Sequence, residues 1–428
     1  MLMKKIFFLF LLSATQANAQ ELTTEEKQIV AEINKQMPQT MQLLEQLVNV
    51  NSGTHNIAGV KKVGGMLRKE FDTIGFTTEW IALPDSIHRA GHLVAHTKGK
   101  RGKKLLLIGH LDTVFEPDIE PNPYKQLNDS TSTGQGVNDM KGGDMIILSA
   151  LKVLYRLGYL KNASVTAYFT GDEEKSGQPT EVSRADFIER AKHCDIALGF
   201  EGANGLNTVA TARRGASGWQ LTVNGKQAHS AGVFSNNYGS IYEAARILNA
   251  FRETLSTEKY LTFNPGIFVG GSDINFDSGK IEATVSGKTN IISPITYVQG
   301  DLRFLTEAQK NNARERMQKI ATTDHLPATN ATISFTDGIP SMEPTAGNNA
   351  LADSLSKVTI DMGFGPTKAG DPGSRGAGDI SYIARYLDCL DGLGASGKGA
   401  HAPGETLNLK EFPILIQRAA IFIYRLTR

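Results

Sequence analysis

Lys104-Leu105-Leu106-Leu107-Ile108-Gly109-His110-Leu111-Asp112 decides how the rest of the chain is read. An unbroken apolar run suits a strand buried on both faces, and such strands belong to parallel sheets with helices packed over each side. This run ends in a glycine, an imidazole and a carboxylate, so polar groups stand where the strand runs out. Ala163 to Thr170, followed by Gly171-Asp172-Glu173-Glu174, repeats the arrangement, and so does Ile196 to Phe200, followed by Glu201. Leu93 to His96 reads as a further strand. Cys389 to Leu393 reads as another, leading through glycines to His401. Helical spacing falls between these runs: over 23–50, with Ile29, Ile33, Met37, Met41, Leu44 and Leu47 largely on one face, near 57–74, over 141–157, over 348–362 and from Lys410 onward. Alternating strands and helices predict an α/β, doubly wound, mostly parallel sheet.

The pattern changes after about Arg213. Strands are expected at Ser217 to Val223, Leu261 to Val269, Ile281 to Val285, Thr296 to Leu305 and Ala331 to Phe335, with helices over 238–255 and 306–320. Two helices among antiparallel-looking strands predict a small α+β sandwich of ferredoxin-like type. The simplest organisation is a catalytic domain in two parts, 20–212 and 339–428, interrupted by an inserted domain at 213–338.

The 428 residues suit two domains, and 40% apolar content supports a substantial core. Lys4 and Lys5, the apolar run Ile6 to Leu12 and the small-residue pattern Ala17-Asn18-Ala19 mark residues 1–19 as a cleaved signal peptide, too short to span a bilayer. A periplasmic or secreted protein is expected, with no membrane association after processing. The remaining 43 basic and 44 acidic residues provide no basic face for nucleic acid. Cys194 and Cys389 are too few for a disulfide scaffold; they read as two packed thiols, with a single bridge as the alternative.

Five segments carry candidate chemistry: the strand end at His110 and Asp112, Gly136-Val137-Asn138-Asp139-Met140-Lys141-Gly142-Gly143, Glu173 with Glu174, Glu201, and Gly397-Lys398-Gly399-Ala400-His401. Singly they are weak. His110 alone reads as a structural histidine, Glu173-Glu174 as solvated charge and Glu201 as a helix cap. Together they lie beyond the carboxyl ends of strands, where open parallel sheets bind ligands. Two imidazoles and three carboxylates form a borderline-hard donor set suited to zinc, cobalt or manganese. If one carboxylate bridges, each of two ions needs one further carboxylate and one imidazole, and all five groups are used. The spare carboxylate of the Glu173-Glu174 pair then suits a general base. Asp112, two residues after His110, is placed to accept its free ring N–H.

These motifs resemble the di-zinc exopeptidase family of glutamate carboxypeptidase, aminoacylase, acetylornithine deacetylase and succinyl-diaminopimelate desuccinylase. Gly109-His110-Leu111-Asp112-Thr113-Val114, the Asp139 segment, Asp172-Glu173-Glu174 and Phe200-Glu201 carry the likeness, and Thr211 to Trp219 looks closest to the glutamate carboxypeptidase branch. The resemblance implies that Asp139 bridges two zinc ions, with Glu174 and His401 completing one site and His110 and Glu201 the other. It implies Glu173 as base, a cis peptide before Met140, and a lid and dimerisation role for the inserted domain. Within Lys226-Gln227-Ala228-His229-Ser230, His229 would stabilise an oxyanion in the partner subunit; alone it reads as a surface-loop histidine. Arg303 would hold the substrate carboxylate and Asn290 would assist. The run Gly370 to Asp379 would meet the substrate's carboxylate end, and it lacks the lysine spacing of a phosphate loop.

The expected activity is hydrolysis of an amide beside a free carboxylate in a small peptide or N-acyl amino acid. Glu at position 201 tilts the resemblance toward carboxypeptidases and deacylases. An N-acyl-amino-acid deacylase with the same residues is the nearest rival. A non-catalytic peptide-binding protein is a rival of another kind.

Overall fold

A computed structural model describes residues 21–428, so the leader assigned to 1–19 lies outside them. Five strands of the main sheet precede the change of pattern: β1 (Thr77–Ile81), β2 (His92–Thr97), β3 (Arg101–His110), β4 (Ala163–Thr170) and β5 (Ile196–Gly199). Four strands of a second sheet follow, β6 (Gly215–Gly225), β7 (Thr262–Gly271), β8 (Ile295–Phe304) and β9 (Thr329–Asp337), and then β10 (Asp388–Leu390) of the main sheet. The main sheet runs β1-β2-β4-β3-β5-β10. Its β4/β3, β3/β5 and β5/β10 pairs are parallel, whereas β1 and β2 join as antiparallel edge strands.

The apolar run that announced this sheet splits between its two faces. Leu105 and Leu107 enter one core with Val165, Ala167 and Leu198. Leu106 and Ile108 enter another with Tyr168, Ala197 and Cys389. The first face is covered by α1 (Thr24–Val48), α2 (Ile57–Asp72), α3 (Lys141–Arg156) and α7 (Phe412–Leu426). The second is covered by the short helix Ala185–Ala191, through Phe187, and by Ile380 and Ile383. Burying each such side chain contributes on the order of 1.5–3 kcal/mol, which is what fixes the strand register. Thr23 caps α1 in a reciprocal box with Glu26, whose carboxylate also accepts from Arg425 Nε at 2.7 Å, tying the two ends of the described chain together.

Residues 215–337 form a second, wholly antiparallel sheet ordered β7-β8-β6-β9, with α4 (Gly239–Leu255) and α5 (Glu307–Thr322). Its connectivity is βαββαβ. Its core is separate: Trp219, Leu221, Val223, Ile247, Phe251, Val298, Leu302 and Met317. The chain returns through α6 (Ala346–Asp361) to β10.

The sequence reading needs several corrections. Ile281 is a turn residue at φ 57°, and the strand there is one arm of an exposed hairpin, Asp273–Asp277 with Glu282–Ser286. Strand β10 runs Asp388–Leu390 and stops short of the expected Leu393. Strand β1 was not expected, nor was a four-stranded sheet of short segments, Lys125–Asn128, Thr131–Thr133, Gly397–Lys398 and Thr406–Asn408. Both cysteines are free thiols, Cys389 buried and Cys194 partly so. No helix among the described residues is long and apolar enough to cross a membrane.

Candidate metal centre

Strands β3, β4 and β5 are paired in register, His110 opposite Thr170 and Ile108 opposite Gly199. That register brings His110, the 171–174 turn and Glu201 to one edge. Asp139 arrives at the N-terminus of α3, whose first turn lies so close to β5 that a Cβ on Gly143 would stand 2.2 Å from the Phe200 carbonyl oxygen. The Asp139–Met140 peptide is cis, as the resemblance implied.

The five expected donors converge in two groups that share Asp139, each with its ligand atoms within 4.8 Å of one another. In one, His110 Nε2 lies 3.2 Å from Asp139 Oδ1 and 3.6 Å from Glu201 Oε1. In the other, His401 Nε2 lies 3.0 Å from Asp139 Oδ2 and 3.3 Å from Glu174 Oε2. His401 is the exposed member, and its backbone sits at φ 66°, a left-handed conformation that costs a non-glycine residue roughly 1–2 kcal/mol.

Counting the chain's own charges alone, the cluster is electrostatically unsatisfied. Burial pushes Glu174 up to about 8 and Glu201 up to about 7, and Asp139 adds to both shifts. Burial, with the charge of Glu201, holds Glu173 well above the usual carboxylate range. The hydrogen bond to Asp139 lifts His401 to about 9. Burial alone would lower His110, but its contacts with Asp112 and Asp139 prevail and raise it. Glu174 Oε1 is buried without a hydrogen-bond partner among the described residues. Cations placed among these groups would reverse each trend, because they favour carboxylate anions and neutral imidazoles. The N/O donor set therefore fits divalent metal.

The outer contacts differ in part from the sequence reading. His110 Nδ1–H donates to the backbone carbonyl of Asp112 at 3.0 Å, while the Asp112 carboxylate stands at 3.5 Å. That carboxylate accepts instead from the Glu173 and Glu174 amides at 3.0 and 3.1 Å and from Thr54 Oγ1 at 2.7 Å. Asp112 thus fixes the imidazole with its main chain and the Glu173-Glu174 segment with its side chain.

His229, Asn290 and Arg303 are not among the side chains that gather at Asp139. His229 is exposed on the short strand Ala228–His229, and its Nδ1 accepts the Ala231 amide at 3.2 Å. Asn290 is exposed nearby and accepts the Ser230 amide through its carbonyl. Arg303 is half-buried on β8 and bonds Asp301 Oδ2 at 2.8 Å. All three stand on the second sheet or its connections.

Three contributors escaped the sequence reading. Glu405 is buried, and its carboxylate accepts the amides of Gly136, Asn138 and Asp139 at 2.9, 2.7 and 2.6 Å. Lys141 is buried and donates Nζ–H to the carbonyls of Val50 and Gln135 at 2.8 and 3.3 Å. Arg184 joins Asp172 to Asp379 behind Glu173. Asp379 and Lys141 lie inside segments singled out by sequence, but nothing local to Glu405 or Arg184 marks them. Replacing Glu405 by Gln puts an amide NH2 against backbone donors. Metal affinity, measured by competition with a chelator, is expected to weaken about 10–100-fold; unchanged affinity would show that the Asp139 loop holds itself.

This is a hydrolase-type site: clustered carboxylates and imidazoles for divalent metal, with a spare carboxylate beside them. The chain belongs to Peptidase family M20/M25/M40, whose model matches residues 106–425. It is 26% identical over 392 residues to carboxypeptidase G2 of Pseudomonas sp. (strain RS-16), covering 91% of this chain and 89% of that protein. It is 25% identical over 295 residues to succinyl-diaminopimelate desuccinylase of Polynucleobacter necessarius (strain STIR1), covering 66% and 74%. The fold matches a Staphylococcus aureus tripeptidase with a TM-score of 0.69 at 17% identity, covering 91% and 98%. The chain is a hydrolase of this metallopeptidase family.

Proposed function

We propose that this protein is a zinc-dependent exopeptidase of carboxypeptidase type, cleaving an amide next to a free carboxylate in a small peptide or N-acyl amino acid. The observation that carries the reading is the sharing of Asp139 between two donor groups, with Glu173 adjoining them. His110, Glu201 and Asp139 would hold one zinc ion, and Asp139, Glu174 and His401 the other; cobalt or manganese would suit the same donors. Bound there, the ions supply Lewis acidity and an acidified water at neutral pH. Glu173 takes a proton from the attacking water and returns it to the leaving amine nitrogen. Asp112 holds the Glu173 amide so that the carboxylate stays on station. His229 of the partner subunit would donate to the developing oxyanion, and Arg303 and Asn290 would bind substrate from residues 213–338 acting as lid and dimerisation domain.

Likeness to carboxypeptidase G2 over nine-tenths of the chain supports the carboxypeptidase reading. Likeness to a desuccinylase supports the rival deacylase. A panel of peptides and N-acyl amino acids separates them, and rates on C-terminal dipeptides exceeding those on acyl amino acids are expected. A chelator should abolish hydrolysis and added zinc restore it; chelator-resistant hydrolysis would sink the metal-dependent reading. Processing after Ala19, export to the periplasm or medium and homodimerisation through residues 213–338 complete the proposal.

A further inference from the structure

Two guanidiniums stand behind Glu201, and among the described residues only one of them has side-chain hydrogen-bond partners. Arg213, from the start of the second sheet's region, has a partner on each of its three nitrogens. It pairs with Asp391 and donates to the carbonyls of Gly376 and Ala377 at 2.7 and 3.1 Å. Its seat requires glycine, since a Cβ on Gly378 would lie 2.6 Å from its Nη1.

Arg375 is the second. It follows the turn Pro372–Ser374 in the glycine-rich run, and its charged surroundings are Asp391, Arg213, Glu201 and Asp139. It also rests against a glycine, with Nη2 2.7 Å from where a Cβ on Gly392 would stand. Yet Nη2 is buried and has no hydrogen-bond partner among the described residues. Both Asp391 oxygens are already engaged, Oδ2 by Arg213 and Oδ1 by the Gly392 amide at 2.7 Å, and neither bonds Arg375. Arg184, by contrast, is held by two carboxylates, and Arg303 by Asp301.

A buried cationic nitrogen without an acceptor is costly unless an anion completes it. The open edge of a guanidinium matches a carboxylate in a two-pronged contact. Arg375 lies in the loop after Pro372–Ser374, with Glu201 and Asp139 among the charges around it, so an anion bound to it would sit close to the reacting amide.

We propose that Arg375 is the specificity-determining residue that grips the substrate's free carboxylate from the glycine-rich run 370–379. This deepens the proposed function and rests on it. It places the carboxylate anchor on the same subunit's glycine-rich run and leaves Arg303, paired with Asp301, to other contacts with the substrate.

The test uses the zinc-loaded full chain, and an N-acetylated dipeptide compared with its C-terminal amide. Loss of a charge-assisted pair predicts a fall of about 10–100-fold in kcat/KM on the acid for Arg375→Gln. The amide should change by no more than about threefold, zinc content should stay constant, and Arg375→Lys should restore part of the preference. Binding of the same two peptides, measured calorimetrically on Glu173→Gln protein with and without Arg375→Gln, reads the anchor independently of turnover. An acid-over-amide preference in binding that vanishes with Arg375→Gln supports the anchor even if the wild-type chain hydrolyses neither peptide, an outcome that would refute the proposed function alone. Equal binding of acid and amide by protein that retains Arg375, including none of either, overturns the proposal. So does equal loss on both peptides in Arg375→Gln, or collapse of the preference in Arg303→Gln alone.

Discussion

Glu173→Gln is expected to lower kcat about 10²–10⁴-fold, the usual contribution of a positioned general base, while zinc content and KM stay close to wild type. The substitution is nearly isosteric. The segment's position is set by the Glu173 and Glu174 amides donating to Asp112, and both amides survive the change. What is lost is a group that can accept and return a proton. Burial, reinforced by Glu201, already favours proton uptake by Glu173. Glu173 is half-buried, so water reaches it, and it belongs to neither three-residue donor group. Single-turnover rates and metal analysis on the same preparation decide the matter. A loss below about tenfold would remove Glu173 from the chemistry, and loss of zinc in parallel would make it a metal ligand instead.

The donors were legible because of where parallel strands must lie. A strand buried on both faces is continuously apolar, so Leu105 to Ile108, Ala167 to Phe169 and Ile196 to Leu198 show their own ends, and the polar residues just beyond are placed by the topology. The antiparallel second sheet was legible through alternation along Gly215–Gly225, whose burial alternates residue by residue. Where short strands pair at long range the signal fails: Thr131–Thr133 joins Thr406–Asn408 with little apolar pattern in either. Supporting contacts fail for a similar reason. Glu405 reaches back to Gly136, Asn138 and Asp139 across more than 260 positions, and no local spacing records such a pairing. Asp112 shows a subtler limit. Its closeness to His110 was readable, but whether main chain or side chain meets the imidazole depends on where the Glu173 amide lies.

Glu405 and Asp112 share one design: a buried carboxylate fixes backbone amides, and the backbone aims a neighbouring side chain at the centre. Asp139 and the Glu173-Glu174 pair are both placed this way, so two carboxylates that hold no metal set the geometry of those that would. Substitution of either outer carboxylate should therefore act on several inner groups together, and its effects should not add with those of the residues it positions.

Arg184→Met is expected to destabilise the fold by about 3–5 kcal/mol. Arg184, Asp172 and Asp379 are all buried. Arg184 donates to Asp172 Oδ1 at 2.6 Å, Asp379 Oδ1 at 2.8 Å, the Asp172 carbonyl at 3.1 Å and Ser176 Oγ at 3.1 Å. Thr170 Oγ1 and Ser183 Oγ occupy the outer oxygens of the two acids at 2.5 and 2.6 Å. An apolar replacement of the whole network could be neutral, because three charges would leave the interior together. Removing the cation alone has the opposite sign: two carboxylates remain in a dry site with one shared partner gone, and one of them must take up a proton or draw in water. The loss falls on function as well, since the network binds the end of β4 to the glycine-rich run on the far side of Glu173. Chemical denaturation gives the stability change, and kcat at saturating zinc gives the positional one. Stability within about 1 kcal/mol of wild type would mean that the carboxylates are neutralised without Arg184, and unchanged kcat in a folded variant would free the Glu173 segment from this support.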